Sequence, residues 1–289
     1  MNKVMKKTVG LALTMMVGMS LVAGCGTSEK KAEAPKAQAK VEGKVTASGS
    51  SALLPLLKVG QEEFYKLHDK VTVNISGGGS FTGQKQAASG AVNIGNSDVP
   101  LSADLKDKGM VDTALVGIPF VFITNKDVNV DSLTKQQLID VLTGKIKNWQ
   151  EVGGKDSKIT LVHRAKSSGS RATIASIVLK GQEFTDDAII QDSNGAVRSA
   201  IATTPGAIGY VDAAYVDKTI KSLKYEGVAY SLQAVSEGKY PIYTIGHMFT
   251  KGQPTGAVKA FMDYVTGKEF QDKNVESKGF IPLTKLPKK

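Results

Sequence analysis

A strand running into a polar loop recurs three times before Pro100, with a helix after each of the first two, and this order restricts the fold more than any other feature of the chain. A β-rich run at 44–47 enters Ser48-Gly49-Ser50-Ser51, after which Leu53, Leu54, Leu57, Phe64 and Leu67 recur at helical spacing. Residues 71–75 alternate as a strand and enter Ser76-Gly77-Gly78-Gly79-Ser80, with a helix expected through Gln84 to Ala88. A short strand at 92–95 ends at Asn96-Ser97-Asp98. Such alternation calls for helical crossovers between parallel strands, hence an α/β class.

The pattern continues with a change of lobe. Residues 116–124 form a long β-rich run interrupted by Pro119, expected to carry the chain into a second lobe. A helix is expected at 133–142 and a strand at 159–162. The Arg164 loop follows, then a helix from about Thr173 to Leu179. Another strand at 207–211, a returning segment at 240–249 and helices at 258–264 and 269–275 complete the reading. A chain of 289 residues can bury a core in each of two lobes.

Residues 1–24 read as a signal peptide: Lys3, Lys6 and Lys7 precede an uncharged apolar stretch from Val9 to Ala23. The junction Leu21-Val22-Ala23-Gly24-Cys25 resembles the lipobox of bacterial lipoproteins, which implies cleavage before Cys25 and lipid attached to it. Cys25 is the only cysteine, so no intramolecular disulfide can form. Residues 25–44 are rich in Ala, Lys, Glu, Ser, Pro and Gln without apolar periodicity, as expected of a flexible tether. The expected location is extracytoplasmic, with the chain held at the cell membrane through Cys25.

The formal net charge is +10, but the lysines are scattered and aromatic residues make up only 6% of the chain. No dense basic run with interleaved aromatics occurs, which argues against nucleic acid as a partner. His68, His163 and His247 lack metal-ligand spacing, and neither a nucleophile elbow nor a Walker loop is found. No enzyme activity, cofactor or metal is expected. Arginine usage points elsewhere. Of 37 basic residues only Arg164, Arg171 and Arg198 are arginine, and the planar guanidinium fork suits oxyanions as an ammonium does not.

In open α/β sheets ligands lie beyond the C-terminal strand ends, where exposed N–H groups attract anions. Four loops have that placement. Gly49-Ser50-Ser51-Ala52-Leu53 offers a hydroxyl from Ser50 or Ser51, or a simple helix cap. Gly77-Gly78-Gly79-Ser80 can form a nest of N–H groups with the Ser80 hydroxyl added, or a plain turn. In Gly95-Asn96-Ser97-Asp98-Val99-Pro100 a carboxylate would repel an anion unless the anion carries a proton that Asp98 can accept, or Asp98 is a turn or capping residue before proline. Phosphate keeps such a proton at neutral pH and sulfate does not. The stretch from Arg164 to Thr173 supplies Arg164 as a bidentate donor, with hydroxyls from Ser168 and Ser170.

These loops, in this order, resemble those of the phosphate-binding proteins of bacterial phosphate ABC importers. The later Ser193-Asn194-Gly195 and Pro205-Gly206-Ala207-Ile208-Gly209-Tyr210 segments are similar too. The resemblance implies a two-lobed α/β fold of the type II periplasmic-binding-protein kind. Each lobe would be a mainly parallel sheet flanked by helices, the two joined by two crossover strands. Lobe I would comprise 45–118 and 246–289, and lobe II 119–245. The implied ligand residues are Ser51, Ser80, Asp98, Arg164, Ser168 and Ser170, with backbone N–H groups of Ala52, Leu53 and Gly169. Ser50 remains an alternative to Ser51. Arg171 either supports the structure or holds Asp98 across the cleft. The fourth loop commonly reads Gly-Ser-Gly-Thr in the family, whereas here it is Ser167-Ser168-Gly169-Ser170, which keeps a hydroxyl at the last position. The implied partners are inorganic phosphate and the transmembrane subunits of an ABC permease with its cytoplasmic ATPase, the protein acting as a monomer. A sulfate- or molybdate-binding protein, and a phosphate sensor or adhesin without transport, are the alternatives.

Overall fold

The computed structural model describes residues 41–287. The expected signal peptide, Cys25 and the tether as far as residue 40 lie outside the described residues. Strand β1 (Gly43–Gly49) begins one position before the expected end of that tether.

Helix α1 (Leu54–Leu67) starts where Pro55 supplies a preset φ and buries Leu56, Leu57, Gly60 and Phe64 along one face. Strand β2 (Val71–Gly77) alternates, with Val71, Val73 and Ile75 inward. Helix α2 (Ser80–Ser89) follows Gly79 at φ 90°, and β3 (Ile94–Ser97) is buried throughout. Strand β4 (Met110–Thr124) is the longest of the fold. Then come β5 (Ser132–Leu133), α3 (Lys135–Leu142) with a Thr134–Gln137 capping box, β6 (Thr160–Arg164), α4 (Gly169–Ile174), β7 (Ile189–Gln191) and α5 (Asn194–Thr203). Strand β8 (Ala207–Asp212) is fully buried; β9 (Lys221–Ser222), β10 (Lys224–Tyr225), α6 (Leu232–Ser236), β11 (Tyr243–Lys251), α7 (Gly256–Thr266) and α8 (Lys268–Asn274) complete the chain.

One continuous sheet runs in the order β2-β1-β3-β11-β4-β8-β6-β7, with β9 also on β4. At one end β1 pairs in parallel with both β2 and β3; at the other β6 pairs in parallel with β7 and β8. Between them β11 runs antiparallel to β3 and β4, and β4 antiparallel to β8. The protein is therefore two-lobed and mixed α/β, each lobe built on a parallel three-stranded core and joined to the other through β4 and β11. Phe64 meets Phe261 edge-on with ring centroids 5.5 Å apart under one lobe. In the other, Trp149 is fully buried and its indole N–H donates to the Gly206 carbonyl at 2.9 Å. Burying one such ring contributes about 1.5–3 kcal/mol.

Two local expectations change. Pro119 does not interrupt its strand. It pairs with Tyr243 at the start of β11, and the pairing of β4 with β8 begins one residue later, at Phe120 with Asp212. The residue without an N–H thus sits where β4 exchanges one partner for another, and no ladder bond is lost there. The helix expected from Thr173 begins instead at Gly169, because the Ser168 side chain caps it by accepting the Arg171 N–H at 3.2 Å. A π-helical turn, Ala175–Leu179, continues it.

Candidate functional site

The parallel strands of both lobes end toward one another, and the loops that follow them meet around Asp98. Ser50, Ser51, Ser80, Asp98, Arg164, Ser168 and Ser170 are each no more than 2% exposed. Asp98, just after β3, accepts the hydroxyl protons of Ser50 and of Ser170, the latter at 2.9 Å. Its own N–H donates to Ser80 Oγ at 2.9 Å. One residue therefore ties together all four loops named in the sequence. Burial pushes the Asp98 carboxyl above the usual range, while the Ser50 and Ser170 hydroxyls and the Arg164 charge pull it back.

Arg164 ends β6. Its Nε–H donates to the Gln191 carbonyl at 3.2 Å, one Nη2–H to the Asp192 carbonyl at 2.7 Å, and one Nη1–H to Ser170 Oγ at 3.4 Å. One N–H at each terminal nitrogen is left over, enough for a two-pronged grip on an oxyanion. Burial lowers the guanidinium pKa and the Asp98 charge opposes that shift.

Arg171 does not reach Asp98. Its Nη1–H donates to the Arg164 carbonyl at 3.0 Å, it contacts the His163 ring, and it lies over the Phe184 ring at 4.5 Å. Of the two roles open to it in the sequence, the structural one holds. His163 stacks on Phe184 with centroids 4.9 Å apart, and burial lowers its pKa.

Gly169 makes the tightest passage between the lobes. A Cβ there would lie 2.2 Å from Ser80 Oγ and 2.9 Å from the Asp98 Cβ. Nearby, the Phe81 N–H donates to the Ser167 carbonyl at 3.2 Å, a main-chain bond from one lobe to the other.

The first loop separates its two serines. Ser50 faces Asp98 and accepts the Leu53 N–H at 3.2 Å, so the Leu53 amide, expected to be free, is already engaged inside its own loop. Ser51 faces the other lobe. Its Oγ accepts the Asn194 main-chain N–H at 3.2 Å and the Asn194 side-chain N–H at 3.1 Å, and its carbonyl accepts the Tyr215 hydroxyl at 2.5 Å. The sequence reading gave neither Asn194 nor Tyr215 a role. Ser193-Asn194-Gly195 was a visible fragment, but nothing local says that its amide reaches 143 positions back. Asp212, at the end of β8, was missed too. It is fully buried, its Oδ2 has no partner, and burial pushes its pKa well above the usual carboxylate range.

Among the described residues, the hydroxyl hydrogens of Ser51, Ser80 and Ser168, the Ala52 and Gly169 amides and two N–H groups of Arg164 have no acceptor. They surround a single carboxylate. That arrangement suits an oxyanion carrying one proton: donors for its bare oxygens and one acceptor for its hydrogen. No group of three His, Cys, Asp or Glu side chains with metal-binding geometry occurs among the described residues.

The chain is similar to known proteins along most of its length. A family model described as a PBP superfamily domain matches residues 34–269. The chain is 39% identical to the phosphate-binding protein PstS of Bacillus subtilis, with 97% of this chain and 96% of that one covered. It is 26% identical to the protein of the same name from Borreliella burgdorferi, covering 96% and 99%. Among solved structures it resembles a putative phosphate ABC transporter substrate-binding protein with bound phosphate from Clostridium perfringens. The TM-score is 0.80 and the identity 31%, over 83% of this chain and all of that one.

Proposed function

The chain belongs to the PBP superfamily and, within it, to the PstS family of phosphate-binding proteins, and from that premise we propose that it captures inorganic phosphate outside the cell and delivers it to an ABC permease. It is a binding protein rather than an enzyme. The observation that carries this reading is Asp98, a buried carboxylate inside a ring of otherwise unengaged donors.

In the proposed site, the Arg164 fork and the Ser80 and Ser168 hydroxyls hold the anion's unprotonated oxygens. The Ser51 hydroxyl and the Ala52 and Gly169 amides add to them. The one remaining proton of phosphate goes to Asp98. Ser50 and Ser170 orient the Asp98 carboxylate, and Ser170 can turn toward the ligand as well. A sulfate dianion brings no proton, so its oxygen would face Asp98 unless the carboxyl were itself protonated. Water-free donors fixed before binding make the site strong without needing to rearrange for each oxygen.

Lobe closure follows from the two connecting strands. Residues 45–118 with 246–289, and 119–245, move as two bodies about β4 and β11. Phosphate favours the closed form because its ligands come from both. The closed pair of lobes then presents one surface to the permease. Among the described residues no helix is long and apolar enough to cross a membrane. Attachment is proposed through lipid on Cys25, with the segment up to β1 as a tether and the protein as a monomer. Replacing Cys25 with serine should release the protein from membranes.

Isothermal titration of the chain from Gly26 onward, freed of carried-over ligand, tests the central claim. One-to-one phosphate binding with little response to sulfate is expected at neutral pH. Equal binding of the two anions would remove the assigned role of Asp98, and binding of neither would overturn the reading.

A further inference from the structure

We propose that Asn194 is a positioning residue of the site: it occupies the lone pairs of Ser51 Oγ, so that the only hydrogen bond left to that hydroxyl is one donated to an anion. The proposal rests on the phosphate-binding reading and adds to it a residue that touches no ligand.

A serine hydroxyl has one hydrogen and two lone pairs, and in an unconstrained site it can turn either toward an oxyanion. A hydroxyl that turns a lone pair toward an anion repels it. At Ser51 that freedom is removed. The main-chain and side-chain N–H groups of Asn194 reach the same oxygen, at 3.2 and 3.1 Å. Both partners are almost wholly buried, so water does not compete for the lone pairs. The orientation of the Asn194 amide is itself fixed, since its Oδ1 accepts the Asp212 N–H at 3.0 Å and its Nδ2 must therefore face Ser51.

The neighbouring serine shows the contrast. Ser50 accepts one N–H, from Leu53, and gives its hydrogen to Asp98. Two adjacent hydroxyls are thereby sorted into one that serves the carboxylate and one reserved as a donor. Because Asn194 belongs to the other lobe, Ser51 acquires this fixed polarity only when the lobes are closed. Closure and donor strength are coupled by one side chain.

A double-mutant cycle tests this in the chain from Gly26 onward, with phosphate as the probe. Asn194→Asp keeps the shape and the acceptor for Asp212, but turns the donor facing Ser51 into an acceptor that takes the hydroxyl hydrogen away from the anion. Its expected effect is a loss of about tenfold or more in phosphate affinity at neutral pH. Combined with Ser51→Ala it should cost less than about threefold further, because its target is gone. Losses that simply multiply in the double variant would overturn the proposal, since they would mean that the new charge repels phosphate directly. Wild-type affinity in Asn194→Asp would overturn it as well. Should that variant fail to fold, Asn194→Ala, which removes one of the two donors to Ser51 and leaves the main-chain one, should lose about threefold or more in affinity, and that loss should vanish in the Ser51→Ala background. Failure of the unaltered chain to bind phosphate is distinguishable from these results and would overturn the underlying reading.

Discussion

The Ser170 hydroxyl donates to Asp98 Oδ2 at 2.9 Å, joining two loops that lie 72 positions apart in the sequence and belong to different lobes. The carboxylate that distinguishes a protonated anion is thus also a point at which the lobes hold each other. Changes at Asp98 should therefore alter both ligand preference and closure.

Asp98→Asn presents an N–H where the carboxylate accepted a proton. Losing a charge-assisted hydrogen bond costs about 1.5–3 kcal/mol, or roughly 10- to 150-fold in phosphate affinity. Sulfate should gain. In the unaltered protein sulfate binding should strengthen as pH falls toward the Asp98 pKa, which burial raises above its ordinary value, because the carboxyl must then hold the proton that sulfate lacks. Titrations with both anions across pH check this; a phosphate-over-sulfate preference unchanged in Asp98→Asn would refute it.

Arg164→Lys keeps the charge but loses the fork. An ammonium cannot donate to the Gln191 and Asp192 carbonyls and still place two parallel N–H groups on an oxyanion. Phosphate affinity should fall by roughly 10- to 150-fold, for about 1.5–3 kcal/mol. Calorimetry measures it, and an unchanged circular dichroism spectrum separates it from misfolding.

Gly169→Ala should block closure without unfolding either lobe. The new methyl meets Ser80 and Asp98 at distances that only a separation of the lobes can relieve. Phosphate binding should drop at least tenfold, and small-angle scattering with phosphate present should keep the larger radius of an open form. Near-normal binding would show that the passage can yield.

Asp212→Asn should flatten the pH dependence of stability. The folded pKa of Asp212 is raised well above 3.8, so its contribution is fully present below that value and is lost as pH rises through the folded pKa. Asparagine keeps an acceptor for the Ala214 N–H, seen at 2.7 Å, and removes the titration. The Tm of the variant minus that of the unaltered protein should climb with pH from mildly acid to alkaline. A flat difference would show that Asp212 does not titrate in that window.

The sequence shows those parts of the fold and site that are local. A strand that ends in Gly49-Ser50-Ser51 or Asn96-Ser97-Asp98 declares a loop at a strand terminus, and the rarity of arginine made Arg164 conspicuous. Long-range geometry leaves no such trace. Nothing in the first loop says which of two adjacent serines faces Asp98 and which faces Asn194; that follows from how the lobes meet. Pro119 read as a break because its missing N–H is local, while the change of partner that makes the gap harmless depends on β8 and β11. The early start of α4 was within reach, since a serine directly before Gly169 is a usable cap, but the run of small residues around it looked like loop.

Strand β11 lies between β3 and β4, yet among the described residues it is the last strand in chain order. Until residues 243–251 emerge, β3 and β4 have no strand between them and the lobe that begins the chain cannot close its sheet. The lobe containing β6, β7 and β8 has its strands in hand much earlier. The N-terminal part, which emerges first, is therefore not the part that can complete its fold first. The inner lobe can mature while the outer one waits with two unpaired strand edges, so chains truncated before Tyr243 should be the ones that aggregate.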